Sequence, residues 1–223
     1  MKRAGRSFAG CLLETFKPKP AQVAAFGACK RVLSGESNGV VLIGHVGVGK
    51  THLLVALANS FGTVRPVEEP QEVEVASASE LIRNAEKISA AMAAMVDLDA
   101  VPVLSPDEFE TRGHHVEYWP IVDLVHQLRS EIKTGEQTVS TLCMDCDLLV
   151  IDDFGIERRT EFVDEELMRI FDWRYRDLRA VAISTNLSPQ EIQAKYGDRL
   201  LSRWVQQCEI IRIEAGDFRK EAG

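Results

Sequence analysis

The sequence predicts an α/β fold, a three-layer sandwich with helices on both faces of a mainly parallel, five-stranded sheet. Three observations predict it. Strand-like apolar segments alternate with helical patterns over most of the 223 residues, the order that a doubly wound parallel sheet requires. A glycine-rich loop joins one apolar strand directly to an alanine- and leucine-rich helix. A second strand, DLLVIDD, is apolar until it ends in two acids, so its carboxylates fall at the strand edge where open α/β sheets bind ligands.

The elements follow in order. The segment LETFKPKPAQVAAFGACKRVLSG opens with Pro18 and Pro20, then places Val23, Phe26, Cys29, Val32 and Leu33 at helical spacing, which predicts a short helix ending near Gly35. SNGVVLIGHVGVGKTHLLVALANSFG supplies a turn, a buried strand over Val40–Ile43, the glycine-rich loop and a helix. Residues 65–112 break the alternation with an acidic stretch, a helical pattern ELIRNAEKISAAMAAMV and a proline- and acid-containing loop. Ala90–Met95 within it reads as helix packing. Regularity returns with a strand near Val116–Trp119 and a helix, then DLLVIDD, the helix DEELMRIFDWRYRDL, the strand AVAISTN, one helix over PQEIQAKYGDRLLSRWV and a last strand, EIIRI. There is no internal repeat. The domain reading is therefore a lead segment and helix over 1–39, a core over 40–219 with an insertion at 65–112, and a tail over 220–223.

Bulk properties narrow the function. The length suits one domain. A net charge of −8 and 27% charged residues argue against coating nucleic acid by bulk charge, so any DNA contact must be local. No apolar run is long enough to span a bilayer, and the basic start MKRAGRSFAGC lacks the apolar stretch of a secretory signal. Five cysteines, an odd number, fit reduced thiols and a cytoplasmic location.

The chemistry is concentrated at one motif. Gly44-His45-Val46-Gly47-Val48-Gly49-Lys50-Thr51 matches G-x-x-x-x-G-K-[ST] in full, between a strand and a helix as that motif requires. The glycines let backbone N–H groups wrap phosphate oxygens, and the helix N-terminus directs its positive end at the anion. Lys50 is expected to reach the terminal phosphates and Thr51 to offer its hydroxyl to magnesium. With His52 following, residues 44–52 form the expected binding set of a P-loop NTPase that uses ATP and Mg²⁺.

Two further strand ends complete the candidate site. Asp152 is expected to hold magnesium, and Asp153 to orient or deprotonate the attacking water. Asn186, at the end of AVAISTN, either positions that water and the terminal phosphate or caps the turn before Ser188-Pro189.

Together GHVGVGKTHL, DLLVIDDFG, the WRY ahead of AVAISTN, and YGDRLLSRW resemble the DnaC/IstB branch of AAA+ ATPases, over roughly residues 8–64 and 113–219. That branch contains replicative helicase loaders and transposition helper ATPases. The resemblance implies an ASCE/AAA+ core without a helical lid domain. It also implies a sensor role for Asn186, and an arginine finger inserted into a neighbour's ATP site, with Arg203 the best match and Arg199 second. Arg199 and Arg203 lie four apart on one helical face. Arg174 looks like the arginine preceding a tyrosine in family members and is expected near the subunit boundary; Arg219 sits where relatives carry a terminal arginine. The implied partners are ATP, a replicative helicase or another DNA-bound client, DNA (single-stranded favoured) and further copies of the chain.

The sequence departs from the family pattern in three respects. Only 43 residues precede Gly44, whereas family loaders usually carry an N-terminal partner-binding module there. The separation of Lys50 from Asp152 is longer than the resemblance leads one to expect, which is assigned to the insertion. The last strand is followed by too few residues for the helical lid domain of larger AAA+ proteins, a truncation typical of this branch. Separately, the acid pair is DD, without a glutamate, as in some family members, and this gives weight to a nucleotide-gated binding module with little turnover, beside the loader and the transposition helper. A small-molecule kinase is disfavoured, because Asp153, Asn186 and Arg203 suit water activation and phosphate sensing. Cys143-Met-Asp-Cys146 is a lone C-x-x-C that zinc would need two more ligands to use, with His114 and His115 the candidates. Arg158, Arg159, Arg174, Arg176 and Arg179 form either a DNA-backbone track or solvated helix charge.

Overall fold

A computed structural model describes residues 10–62, 114–135 and 137–218, with the side chains of 132–134 excepted. The insertion expected at 65–112, with its helix and the 90–95 stretch, lies outside the described residues, as does Arg219. Five strands, β1 (Gly39–Ile43), β2 (Val116–Pro120), β3 (Leu148–Phe154), β4 (Ala180–Thr185) and β5 (Glu209–Arg212), form one sheet in the order β2-β3-β4-β1-β5. Every adjacent pair is parallel.

The strands read as continuous apolar runs because both faces of the sheet are covered. Side chains alternate across the pleat. Val40, Leu42, Leu148 and Val150 pack with α1 (Val23–Leu33) and α2 (Lys50–Gly62), whereas Val41, Ile43, Leu149 and Ile151 face α3 (Ile121–Thr134), α4 (Thr138–Asp145), α5 (Glu161–Arg176) and α7 (Asp198–Gln207). Between α5 and α7, α6 (Pro189–Tyr196) is started by a capping box, in which the Ser188 hydroxyl and the Glu191 carboxylate satisfy each other's backbone N–H groups.

Three elements differ from the sequence expectation. Helix α4 was not expected, since TVSTLCMD has few strong helix formers; it is held by burying Ser140, Cys143 and Met144. The single helix expected over 189–205 is two helices, broken at Gly197, whose φ of 86° leaves the helical region at little steric cost. Helix α5 also starts earlier than the pattern suggested, at Glu161, where the Thr160 hydroxyl accepts the Val163 N–H.

Arg174 requires a correction. It does not face a boundary or a DNA track, because its side chain is wholly buried. Its guanidinium donates to the carbonyls of Cys143 (2.9 Å), Cys146 (2.9 Å), Met144 (3.2 Å), Asp147 (3.3 Å) and Ala180. The WRY arginine therefore fastens the end of α4 to β3, α5 and β4. Burial lowers its pKa from the ordinary arginine value, and the adjacent Cys146 opposes that shift.

The C-x-x-C pair lies at the end of α4 with both thiols buried. Burial pushes each thiol pKa up, the opposite of what a metal thiolate needs. His114 sits 3.8 Å from Asp147 and His115 3.0 Å from Glu117. Among the described residues no group of three or more His, Cys, Asp and Glu side chains is arranged to hold a metal ion.

Candidate nucleotide-binding and hydrolysis site

The loop over residues 44–49 leaves β1 and enters α2 at Lys50. Gly47 and Gly49 each adopt φ of 87°, a region costly for other residues. Their surroundings restrict them as well. A Cβ on Gly49 would stand 2.3 Å from Gln22 Nε2, and one on Gly47 would stand 1.9 Å from Asp217 Oδ1. The loop is braced from outside: Gln22 Nε2 donates to the Val48 carbonyl (2.9 Å), and the Phe218 N–H donates to the Gly47 carbonyl (3.2 Å).

Lys50 is only 5% exposed. Its ammonium donates to the Gly44 carbonyl (2.7 Å), the His45 carbonyl (3.0 Å) and Asn186 Oδ1 (2.8 Å). Three acceptors thus compensate a buried cation. The contact with Asn186 arises because β1 and β4 are parallel neighbours with Ile43 opposite Thr185, so the residues beyond the two strand ends meet.

Asp152 is also buried, and hydroxyls surround it. Thr51 Oγ1 donates to Oδ1 (3.2 Å), the Tyr118 hydroxyl donates to Oδ2 (2.8 Å), and Ser184 Oγ donates to Oδ1. Desolvation, and then the Asp152 charge, raise the Tyr118 pKa above the usual phenol value, so this hydroxyl stays a donor. Asp153 has φ of 56°, rare for a residue other than glycine, and the β3–β4 register shifts between Ile151 and Phe154. Its N–H is fixed by Ser184 Oγ at 2.8 Å.

Lys50, Thr51, His52, Asp153 and Asn186 line one cleft of about 960 Å³ with the glycine-rich loop. The cleft is also lined by residues outside any sequence motif, among them Phe16, Lys19, Gln22 and Phe218. Phe16 meets the His52 ring edge-on at 5.0 Å, and the Lys19 ammonium sits 3.7 Å from the centre of the Phe218 ring. Nothing in local sequence marks these residues, because they converge from the two ends of the described chain. Ser184 carries a signal in the sequence, being one of two hydroxyl residues, with Thr185, that end a buried apolar strand. Arg199 and Arg203 are not among the residues lining the cleft; both contact Asp172 on α5.

The cleft's donor set fits a nucleotide and its metal. Thr51 and Asp152 present paired hard oxygens of the kind magnesium takes, leaving most of its shell to water and phosphate. A parallel sheet of this order, with the phosphate loop after β1 and the acid pair at the end of β3, defines an α/β P-loop nucleotide-binding protein. The chain belongs to the family of IstB-like ATP-binding proteins, whose sequence profile matches residues 105–222.

The chain is 31% identical over 83 residues to the uncharacterized protein YdaV of Escherichia coli (strain K12), a match spanning 37% of this chain and 33% of that protein. Among solved structures it is similar to the DnaC helicase loader (20% identity, TM-score 0.64, covering 94% of this chain and 100% of that one) and to DnaI (16%, 0.61, 95% of each). It is also similar to the replication initiator DnaA bound to AMPPCP and single-stranded DNA (22%, 0.63, 98% of this chain and 55% of that one). The fold is shared with these DnaC and DnaA structures. No helix among the described residues is long and apolar enough to cross a membrane.

Proposed function

We propose that the chain is a magnesium-dependent AAA+ ATPase that acts in the cytoplasm on DNA replication machinery, by loading or remodelling a replicative helicase. One observation carries the ATPase reading: Lys50, Thr51, Asp153 and Asn186 come from three adjacent strand ends to one cleft, with Lys50 bonded to Asn186 at 2.8 Å and Thr51 bonded to the buried Asp152 at 3.2 Å. The structural likeness to a helicase loader supports the choice of client.

Each residue has a defined task. The loop N–H groups bind the phosphate chain. Lys50, held by exchangeable carbonyl and amide acceptors, turns to the terminal phosphates when they arrive. Thr51 and Asp152 hold magnesium, which supplies charge neutralisation on the transferring phosphoryl group. Asp153 accepts a proton from the attacking water as the bond to the leaving ADP oxygen breaks. Asn186 positions that water or the terminal phosphate oxygen. Phe16, Lys19 and Phe218 border the same cleft and are assigned to the base side. Arg203 acts in trans, on the ATP of a neighbouring copy in a homo-oligomer.

A second reading is favoured by the family match itself: a transposition helper that assembles on duplex DNA. Phosphate release and oligonucleotide affinity, measured with ATP at two salt concentrations, test both readings, because phosphate contacts are salt-dependent. Helicase loading predicts hydrolysis with a preference for single strands. Nucleotide-dependent assembly on duplex DNA would favour the transposition helper. Tight ATP binding with no ADP formed under any condition would replace both with a nucleotide-gated binding module.

A further inference from the structure

Two arginines and one carboxylate meet between α5 and α7, outside the nucleotide cleft. Arg203 Nε lies in ion-pair contact with Asp172 Oδ1, without the alignment of a hydrogen bond, and Arg199 Nη2 donates to Asp172 Oδ2, so each carboxylate oxygen faces one guanidinium. The Asp172 side chain is 19% exposed and that of Arg203 22%, whereas Arg199 is 65% exposed. Arg203 Nη1 also donates to the Arg199 carbonyl at 3.2 Å, and its guanidinium lies 5.5 Å from the centre of the Tyr175 ring.

The base of this cluster is rigid. Trp204, next to Arg203, is 2% exposed and packs edge-on against Phe154 (5.0 Å) and Phe171 (5.5 Å). Phe154 ends the strand that carries Asp152 and Asp153, and Phe171 precedes Asp172. A fully solvated arginine samples many rotamers, and ordering it costs entropy when it binds an anion. Here a carboxylate, a backbone carbonyl and an aromatic ring settle the Arg203 side chain in advance. Two guanidinium groups share one carboxylate, so the pair keeps positive charge to offer an anion, the sign that a polyphosphate recognises.

We propose that Asp172 is the positioning residue of the trans-acting arginine: it fixes the Arg203 guanidinium, with Arg199 beside it, in the orientation presented to a neighbouring copy's terminal phosphate. This inference rests on the reading of Arg203 as an arginine that acts between subunits. Asp172 touches neither nucleotide nor water itself. It acts through Arg203, so its loss lowers turnover at the neighbour's site and leaves nucleotide binding at its own site intact.

Mixed assemblies separate these effects. An Arg203→Ala subunit keeps its ATP site and lacks the finger, while a Lys50→Ala subunit lacks the ATP site and keeps the finger, so mixing them should restore turnover. Replacing the second partner with Lys50→Ala/Asp172→Asn should lower the restored rate about tenfold or more, with the thermal midpoint of the double variant matching that of Lys50→Ala. Lys50→Ala/Asp172→Glu, which keeps the carboxylate, should recover part of the rate and serves in place of the asparagine variant if that unfolds. Equal restoration by the Asp172→Asn partner overturns the proposal. If the reference mixture of Arg203→Ala with Lys50→Ala restores nothing, the intersubunit reading of Arg203 fails first and takes this inference with it.

Discussion

The ammonium of Lys50 and the side-chain carbonyl of Asn186 are bonded at 2.8 Å, a contact between the residue that opens α2 and the one just past the end of β4. Parallel pairing of β1 with β4 produces it, by bringing the two strand ends into register. It couples the group proposed to bind the terminal phosphates to the group proposed to sense them.

Replacing Asn186 by alanine should therefore separate binding from chemistry. The expected outcome is a single-turnover hydrolysis rate lower by about 100- to 1,000-fold, the range for losing one preorganised donor, with nucleotide affinity nearly unchanged. Fluorescent-nucleotide titration and rapid-quench hydrolysis measure the two quantities separately. A parallel fall in affinity would reassign Asn186 to holding Lys50.

Gly49 is constrained twice, by its φ of 87° and by Gln22 Nε2, 2.3 Å from where a Cβ would stand. Gly49→Ala should lose ATP affinity about tenfold or more, because the loop must either shift or expel Gln22, and backbone strain adds on the order of 1–3 kcal/mol. Gln22→Ala, which removes the brace on Val48 without strain, should weaken binding less. Calorimetric titration of both variants gives the comparison, and wild-type affinity in Gly49→Ala would contradict the bracing geometry.

Arg174 is expected to matter for stability. Truncation to alanine leaves several buried carbonyls without their donor and opens a cavity between α4 and α5, so a loss of about 3–5 kcal/mol is expected in urea denaturation. Lysine should rescue little, since one ammonium cannot reproduce the planar fork. A variant that kept full stability but failed to assemble would restore the boundary role first expected for this residue.

The edge strand β5 is tied to α1 by Arg31 and Glu209, whose side chains pair at both carboxylate oxygens. Hydrogen bonding from Arg31 depresses the Glu209 pKa below the usual glutamate value, with burial opposing. A depressed carboxylate contributes stability above its unfolded pKa and loses it as pH falls through the folded value. The stability gap between the wild type and Glu209→Gln should therefore be present at neutral pH and close in the acid range below the ordinary glutamate pKa. Thermal melts across pH 3–7 check this, and a gap that widened on acidification would reverse the assignment.

Much of the site was legible because its chemistry is local. The loop 44–51 must lie in one stretch, since consecutive N–H groups and a helix start form the phosphate cradle, and the acids must follow an apolar strand to reach the sheet edge. Period and punctuation therefore located Lys50, Thr51, Asp152, Asp153 and Asn186. Helix α4 was not legible, because its residues are helical for what they bury and for the carbonyls Arg174 collects.

What the sequence by itself determined is the five strands, most of the helices and the glycine-rich loop motif, all written in neighbouring residues. Only the tertiary structure decided which distant groups meet: Gln22 and Phe218 against the loop, Tyr118 and Ser184 on Asp152, Asp172 on Arg203, and Arg174 in the interior. These depend on strand order and register, which follow from the burial of both sheet faces at once and have no signature in any single segment.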